Sequence, residues 1–162
     1  MPSKEQISTR MQALAARIGY KFADPSHLAR AMYCKRQRGN DNYQNDEMAT
    51  LGDAVLGLVM AEHFFALGMD KDEITERKAA LVNNATLKAM CDALGVQRFA
   101  YNDDYFADEA PAHAQLPNKD HDFYMEAIFA AVYLDRGLSY TKVWLLELFE
   151  KHAPSRAKLK KA

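Results

Sequence analysis

Apolar residues recur along this chain at the spacing of helix turns almost from end to end. Ile7, Met11, Leu14 and Ile18 step by about one turn each, Ser3 and Gln6 form a capping-box pair ahead of them, and Gly19 supplies the stop. Asp24-Pro25 predicts a cap followed by proline at the first helical position, opening a helix that carries Leu28, Ala31 and Met32. Residues 36 to 44 are polar and turn-rich and predict a loop. Over residues 45 to 67, Met48, Leu51, Val55, Leu58, Val59, Phe64 and Phe65 cover most of a helix circumference, which predicts a central, buried helix. Gly52 and Gly57 inside it each cost about 1 kcal/mol in helix propensity relative to Ala, so they predict close packing against another helix. Asp70 and Glu73 cap a further helix with Ile74, Leu81, Leu87 and Met90 on its apolar side, ending near Gly95. Residues 101 to 120, with Asp103, Asp104, Asp108, Glu109, Pro111 and Pro117, form an acidic, proline-interrupted loop. A helix resumes over 123 to 135, and Ser139 caps a last one bearing Val143, Trp144, Leu145, Leu148 and Phe149. No repeat, linker or strand pattern intervenes. The fold class is all-α, one domain over residues 1–154 followed by a basic, frayed tail at 155–162.

Composition narrows the picture. With 49% hydrophobic and 27% charged residues the chain is of the soluble globular type, and 162 residues suffice for one core without staples. A net charge of −1 provides no global basic field, so a nucleic-acid partner would have to bind through a local patch. Cys34 and Cys91 are too few for a disulfide framework and lack metal spacing, which predicts free thiols in a reducing cytoplasm. The N-terminus leads into an amphipathic segment rather than a signal sequence, and no membrane span is expected. His27, His63, His113, His121 and His152 show no ligand spacing, and the buried-face methionines read as core fillers.

Four segments carry more specific information. They are Gly19-Tyr20-Lys21-Phe22-Ala23-Asp24-Pro25; Asn45-Asp46-Glu47-Met48-Ala49-Thr50-Leu51-Gly52-Asp53-Ala54-Val55-Leu56; Arg77-Lys78-Ala79-Ala80-Leu81-Val82-Asn83-Asn84-Ala85-Thr86-Leu87; and Glu126-Ala127-Ile128 through Tyr133-Leu134-Asp135-Arg136-Gly137. In this order they resemble the opening turn, the signature helix, the Arg-x-x-Leu-Val-Ser-Asn-x-Thr-Leu segment and the last catalytic helix of the ribonuclease III family. The likeness extends over about residues 15 to 150. It implies the all-α endonuclease-domain fold, double-stranded RNA as partner and Mg²⁺ (or Mn²⁺) as cofactor. It also implies a homodimer whose signature helices pack across a two-fold axis through Ala49, Gly52, Ala54 and Leu56. The family's separate RNA-binding domain finds no counterpart in these residues.

Family members hydrolyse duplex RNA with divalent ions on four carboxylates, two per helix, plus an accessory Glu. Mg²⁺ takes octahedral oxygen ligands and keeps several waters, so a few carboxylates hold it. Carried over by position, the accessory Glu falls on Asp46, the first ligand on Ala49, the second on Asp53, the third on Phe123 and the fourth on Glu126. The expected catalytic set is therefore Asp53, Glu126 and Asp46, with Asp53 and Glu126 as metal ligands, and two of four ligand positions cannot ligate. Asp122 is one position off and points about 100° away on a regular helix, and Glu47 lies off the ligand face. The family's Gly-Lys-Gly-Glu-like stretch is replaced by the acidic residues of the 101 to 120 loop. Basic candidates for an RNA backbone are Lys35, Arg36 and Arg38 before the signature and Arg77 and Lys78 after it.

Three readings follow. The chain is a ribonuclease III-like protein that holds duplex RNA with cleavage weak or lost; a working minimal endoribonuclease; or a dimeric scaffold that binds no RNA. A heterodimer with an intact relative would supply the missing carboxylates. The retained frame with lost ligands favours the first.

Overall fold

The computed structural model describes residues 1–39, 42–112, 114, 123–154, 157 and 159. Six helices follow one another: α1 (Lys4–Arg17), α2 (Ser26–Met32), α3 (Asp46–Ala66), α4 (Lys71–Leu81), α5 (Asn84–Leu94) and α6 (Phe123–His152). Two 3₁₀ turns, Val96–Phe99 and Ala107–Glu109, lie between α5 and α6. Among the described residues only isolated β-bridges occur and no strand, so the all-α expectation holds.

α1 begins at the capping box foreseen for Ser3 and Gln6, and Gly19 turns the chain at φ 67°. α2 starts one residue later than its sequence suggests: Asp24 Oδ1 accepts the Ser26 amide, and Pro25 stands at the cap. The single helix expected from Asp70 to Gly95 is two. Asn83 breaks it, because its amide donates back to the Ala79 and Ala80 carbonyls while its oxygen accepts the Thr86 amide. One side chain thus closes α4 and opens α5. α6 comprises two helical segments joined at Gly137, whose backbone (φ 81°, ψ 179°) is not helical, in keeping with the two helices expected from the sequence. The junction is braced by the Thr141 hydroxyl donating to the Gly137 carbonyl at 2.7 Å.

α3 packs along α6 more extensively than any other pair of elements do, and α2 packs on α6 next. Among the described residues α3 is the one helix long and apolar enough to cross a membrane. Its burial of Met48, Val55, Leu56, Val59, Met60 and Phe64 in the core accounts for that apolarity. Both cysteines are buried and unbridged, and burial pushes the Cys34 thiol up to about 11. Leu159, in the stretch expected to fray, is buried with its carbonyl 3.0 Å from His63 Nε2.

Asp135 locks the opening turn to α6. Its carboxylate, 1% exposed, accepts from the Tyr20 hydroxyl (2.7 Å) and the Ala23 and Asp24 amides (2.9 and 2.8 Å). Burial alone would raise its pKa, but these hydrogen bonds outweigh it and hold the group below its ordinary value. A depressed folded-state pKa adds stability above the unfolded carboxylate range and loses it as pH falls through the folded value. We expect Asp135→Asn to lose about 2 kcal/mol at neutral pH, as for hydrogen bonds to a charged group. Urea unfolding as a function of pH should show the gap to the parent closing in acid; a gap that persists there would refute the ionic origin.

Candidate active site

The site forms where α3 crosses the start of α6, and Gly52 makes the crossing possible. A Cβ built on Gly52 would lie 1.6 Å from the Glu126 carbonyl oxygen and 2.5 Å from its carbon. Only glycine lets the two backbones meet, and this contact sets Asp53, the next residue of α3, close to Glu126 of α6. The close packing expected of Gly52 is therefore present, and its partner is α6 of the same chain.

An open depression at this crossing is lined by Asn42, Asp46, Glu47, Ala49, Thr50, Asp53, Phe123 and Glu126. The structure thus brings together all three expected site residues, Asp46, Asp53 and Glu126, with the two substituted positions, Ala49 and Phe123, between them. Glu47, placed off the ligand face by helical register, also lines the depression. It stands in the first turn of α3, where a long side chain next to Asp46 still reaches the mouth. Asn42 and Thr50 were missed as well; Thr50 follows Ala49 on the same face, and Asn42 carries no sequence signal for the site.

Donor chemistry decides what the depression can hold. Asp46 Oδ2 accepts the Tyr43 amide at 2.7 Å, so part of this carboxylate serves the turn into α3. Among the described residues no group of three or more His, Cys, Asp and Glu side chains is placed to hold a metal ion. Ala49 has no donor atom and the Phe123 ring none, so the residues present do not fit the two-ion arrangement. Asp122 and His121 lie outside the described residues, as do His113 and the tail cations Arg156, Lys158, Lys160 and Lys161.

Ahead of α3 two short limbs of chain, residues 35–37 and 42–44, pair as a hairpin. Lys35 O accepts the Gln44 amide (2.8 Å), Arg36 bridges to Tyr43, and the Gln37 amide donates to Asn42 (2.8 Å). One limb carries Lys35 and Arg36, with Arg38 just beyond; the other carries Asn42 into the depression. Lys35 is already ion-paired with Asp103 at 2.7 Å. Arg77 and Lys78 sit on α4, and a Cβ on Gly57 would meet Lys78 Cε at 3.4 Å, so the lysine stem lies along α3.

Of the four residues expected at a dimer interface, the placement corrects two. Leu56 is 0% exposed in this chain's own core, and Gly52 is covered by α6. Ala49 faces the depression and is largely buried, whereas Ala54 is exposed. The outward face of α3 bears Ala54, Leu58 (51% exposed) and Phe65 (73% exposed), spaced four and seven residues apart. Register alone could not choose this stripe, because α3 is apolar on nearly every side.

Comparisons with known proteins agree with this geometry. The Ribonuclease III domain family model matches residues 46–137. A ribonuclease 3 of Campylobacter jejuni (strain RM1221) is 31% identical over 147 residues, covering 89% of this chain and 63% of its own length. A ribonuclease 3 of Cereibacter sphaeroides (strain ATCC 17029 / ATH 2.4.9) is 30% identical over 148 residues, with 89% and 62% covered. The chain thus spans less than two thirds of these curated relatives. Among solved structures, the nuclease domain of ribonuclease III from Campylobacter jejuni superposes with TM-score 0.69 at 28% identity, covering 88% of this chain and 97% of that one. That structure describes flexibility in a region involved in dimer formation. A 2.2 Å crystal structure of the same domain gives TM-score 0.68 at 29% identity, with 86% and 93% covered.

Proposed function

The chain belongs to the ribonuclease III family, and from that premise we propose that it binds double-stranded RNA while hydrolysing it poorly or not at all. One observation carries the reading. The depression at the α3–α6 crossing keeps Asp46, Asp53 and Glu126, but Ala49 and Phe123 stand where two more oxygen donors would be needed. Binding depends on cations and shape, which the fold retains; hydrolysis depends on a complete donor set, which it does not. Lys35, Arg36 and Arg38 on the hairpin and Arg77 and Lys78 on α4 are the proposed backbone contacts. The test is cleavage of a labelled RNA duplex with Mg²⁺ and then Mn²⁺, beside salt-dependent binding, for the parent and Glu126→Gln. Salt-sensitive binding with no cleavage supports the proposal; rapid cleavage abolished by Glu126→Gln overturns it in favour of the minimal endoribonuclease.

The outward face of α3 supports a homodimer as the working form. Leu58 and Phe65 are large apolar side chains left in solvent on the helix that carries Asp46 and Asp53. A self-complementary face of this kind is the ordinary material of a two-fold interface. Phe65→Glu, which adds a charge to that face, should shift sedimentation at micromolar concentration from dimer to monomer while leaving the helical circular dichroism unchanged. A parent that sediments as monomer would remove the dimer.

A further inference from the structure

Lys35 sits on the limb of the hairpin that pairs with the one carrying Asn42 into the depression, yet its ammonium is not waiting for a ligand. Its Nζ lies 2.7 Å from Asp103 Oδ2, while Asp103 Oδ1 accepts the Tyr33 hydroxyl at 2.6 Å. The carboxylate is held in place from its own side. Asn102 Oδ1 accepts the Asp104 and Tyr105 amides, which fixes the turn, and backbone bonds between Cys34 and Tyr101 and between Tyr101 and Met32 fasten the turn beside the hairpin. Both partners are nevertheless about half exposed, 51% each, so another anion can reach the lysine. Lys35 and Tyr33 together hold Asp103 below its ordinary carboxylate range.

We propose that Asp103 is an intramolecular stand-in for an RNA phosphate: it occupies Lys35 in the free protein, must give the lysine up when a duplex docks, and so sets how much salt the complex survives. This rests on the duplex-RNA reading above. The physical reason is that an oxyanion already fills the position a phosphate oxygen would take, with a tyrosine hydroxyl as second donor. An exposed ion pair is weak, which is what a displaceable latch requires. Asp103 also leaves one negative charge beside the path of the phosphate after displacement, so its penalty persists in the complex and is screened as salt rises.

The experiment measures duplex-RNA affinity against salt, in EDTA so that nothing is cleaved, for the parent, Asp103→Asn, Lys35→Ala and the double variant. Asn keeps an oxygen for the Tyr33 hydroxyl, so the turn should survive, and circular dichroism with thermal unfolding checks that it does. Asp103→Asn should bind about fivefold tighter at low salt, the size of one exposed ion pair. Lys35→Ala should cost more in the Asp103→Asn background than in the parent, with a change of about one unit in the log–log salt slope there. Equal effects of Lys35→Ala in both backgrounds, or no gain from Asp103→Asn in a parent that binds duplex, would overturn the latch and leave the RNA reading intact. Absence of salt-dependent binding in all four proteins would overturn both.

Discussion

Replacing Gly52 with alanine should unfold this protein or come close to it. A Cβ at this position meets the Glu126 carbonyl oxygen at 1.6 Å and the Ala130 nitrogen at 3.2 Å. Both are main-chain atoms of α6, so no rotamer change relieves the contact and one helix must move away from the other. The move opens the most extensive helix pair in the fold and uncovers Leu56, Ala127 and Ala130, all fully buried. Overpacking a well-filled core costs typically 1–3 kcal/mol and occasionally more; with backbone on both sides the loss should be at least about 3 kcal/mol, a large share of the roughly 5–15 kcal/mol that holds a domain together. Gly57→Ala is the internal control. Its nearest neighbours are the Cε and Nζ of the flexible Lys78 stem, at 3.4 and 3.5 Å, so it should be tolerated and could gain from better helix propensity. Urea unfolding of the two variants beside the parent reads the difference. A Gly52→Ala protein as stable as Gly57→Ala would mean that the crossing is looser than described here and that Asp53 and Glu126 are not fixed by it.

The same glycine shows what a sequence can and cannot disclose. Helical period, caps and stops placed α1, α3 and the Asp70 capping box, because each is a local agreement between side chain and backbone that the order of residues records. The break at Asn83 was hidden inside an apolar period that runs on from Leu81 to Leu87; only the hydrogen bonds made by one amide reveal it. Gly137 separates two helical segments, as the sequence suggests, and the second runs on to His152. For the site, position-by-position matching pointed to Asp46, Asp53 and Glu126, and these three line one depression. What it could not supply was direction. On a helix apolar nearly all round, the residues facing α6 (Gly52, Leu56) and those facing solvent (Ala54, Leu58, Phe65) look alike in sequence. Long-range pairs such as Lys35 with Asp103, or Tyr20 with Asp135, leave no trace in a single chain's sequence.

Hydrolysis of duplex RNA should be slower than in an intact family member by at least about a thousandfold, and the deficit should lie in the chemical step rather than in binding. Removing one well-placed electrostatic group from a site typically costs 10²–10³ in rate. On the proposed reading two donor positions fall on Ala49 and Phe123, both of which line the depression. Groups that act as a unit are not additive, so the second loss costs less than the first and a product of the two would overstate the effect. The separation of binding from chemistry follows from where the missing groups lie. Ala49 and Phe123 are in the depression, whereas Lys35, Arg36, Arg38, Arg77 and Lys78 are on the hairpin and α4. Single-turnover cleavage with protein in excess over a labelled duplex distinguishes the two steps, since it reads the chemical rate after binding is saturated. In that assay Glu126→Gln should change the residual rate little, because removing a further member from a site already broken costs little. A single-turnover rate within tenfold of an intact relative, falling to background with Glu126→Gln, would show that three carboxylates suffice. The site would then have to be redrawn around Asp46, Asp53 and Glu126 with Glu47 as a further oxygen donor, the one additional carboxylate among the described residues lining the depression.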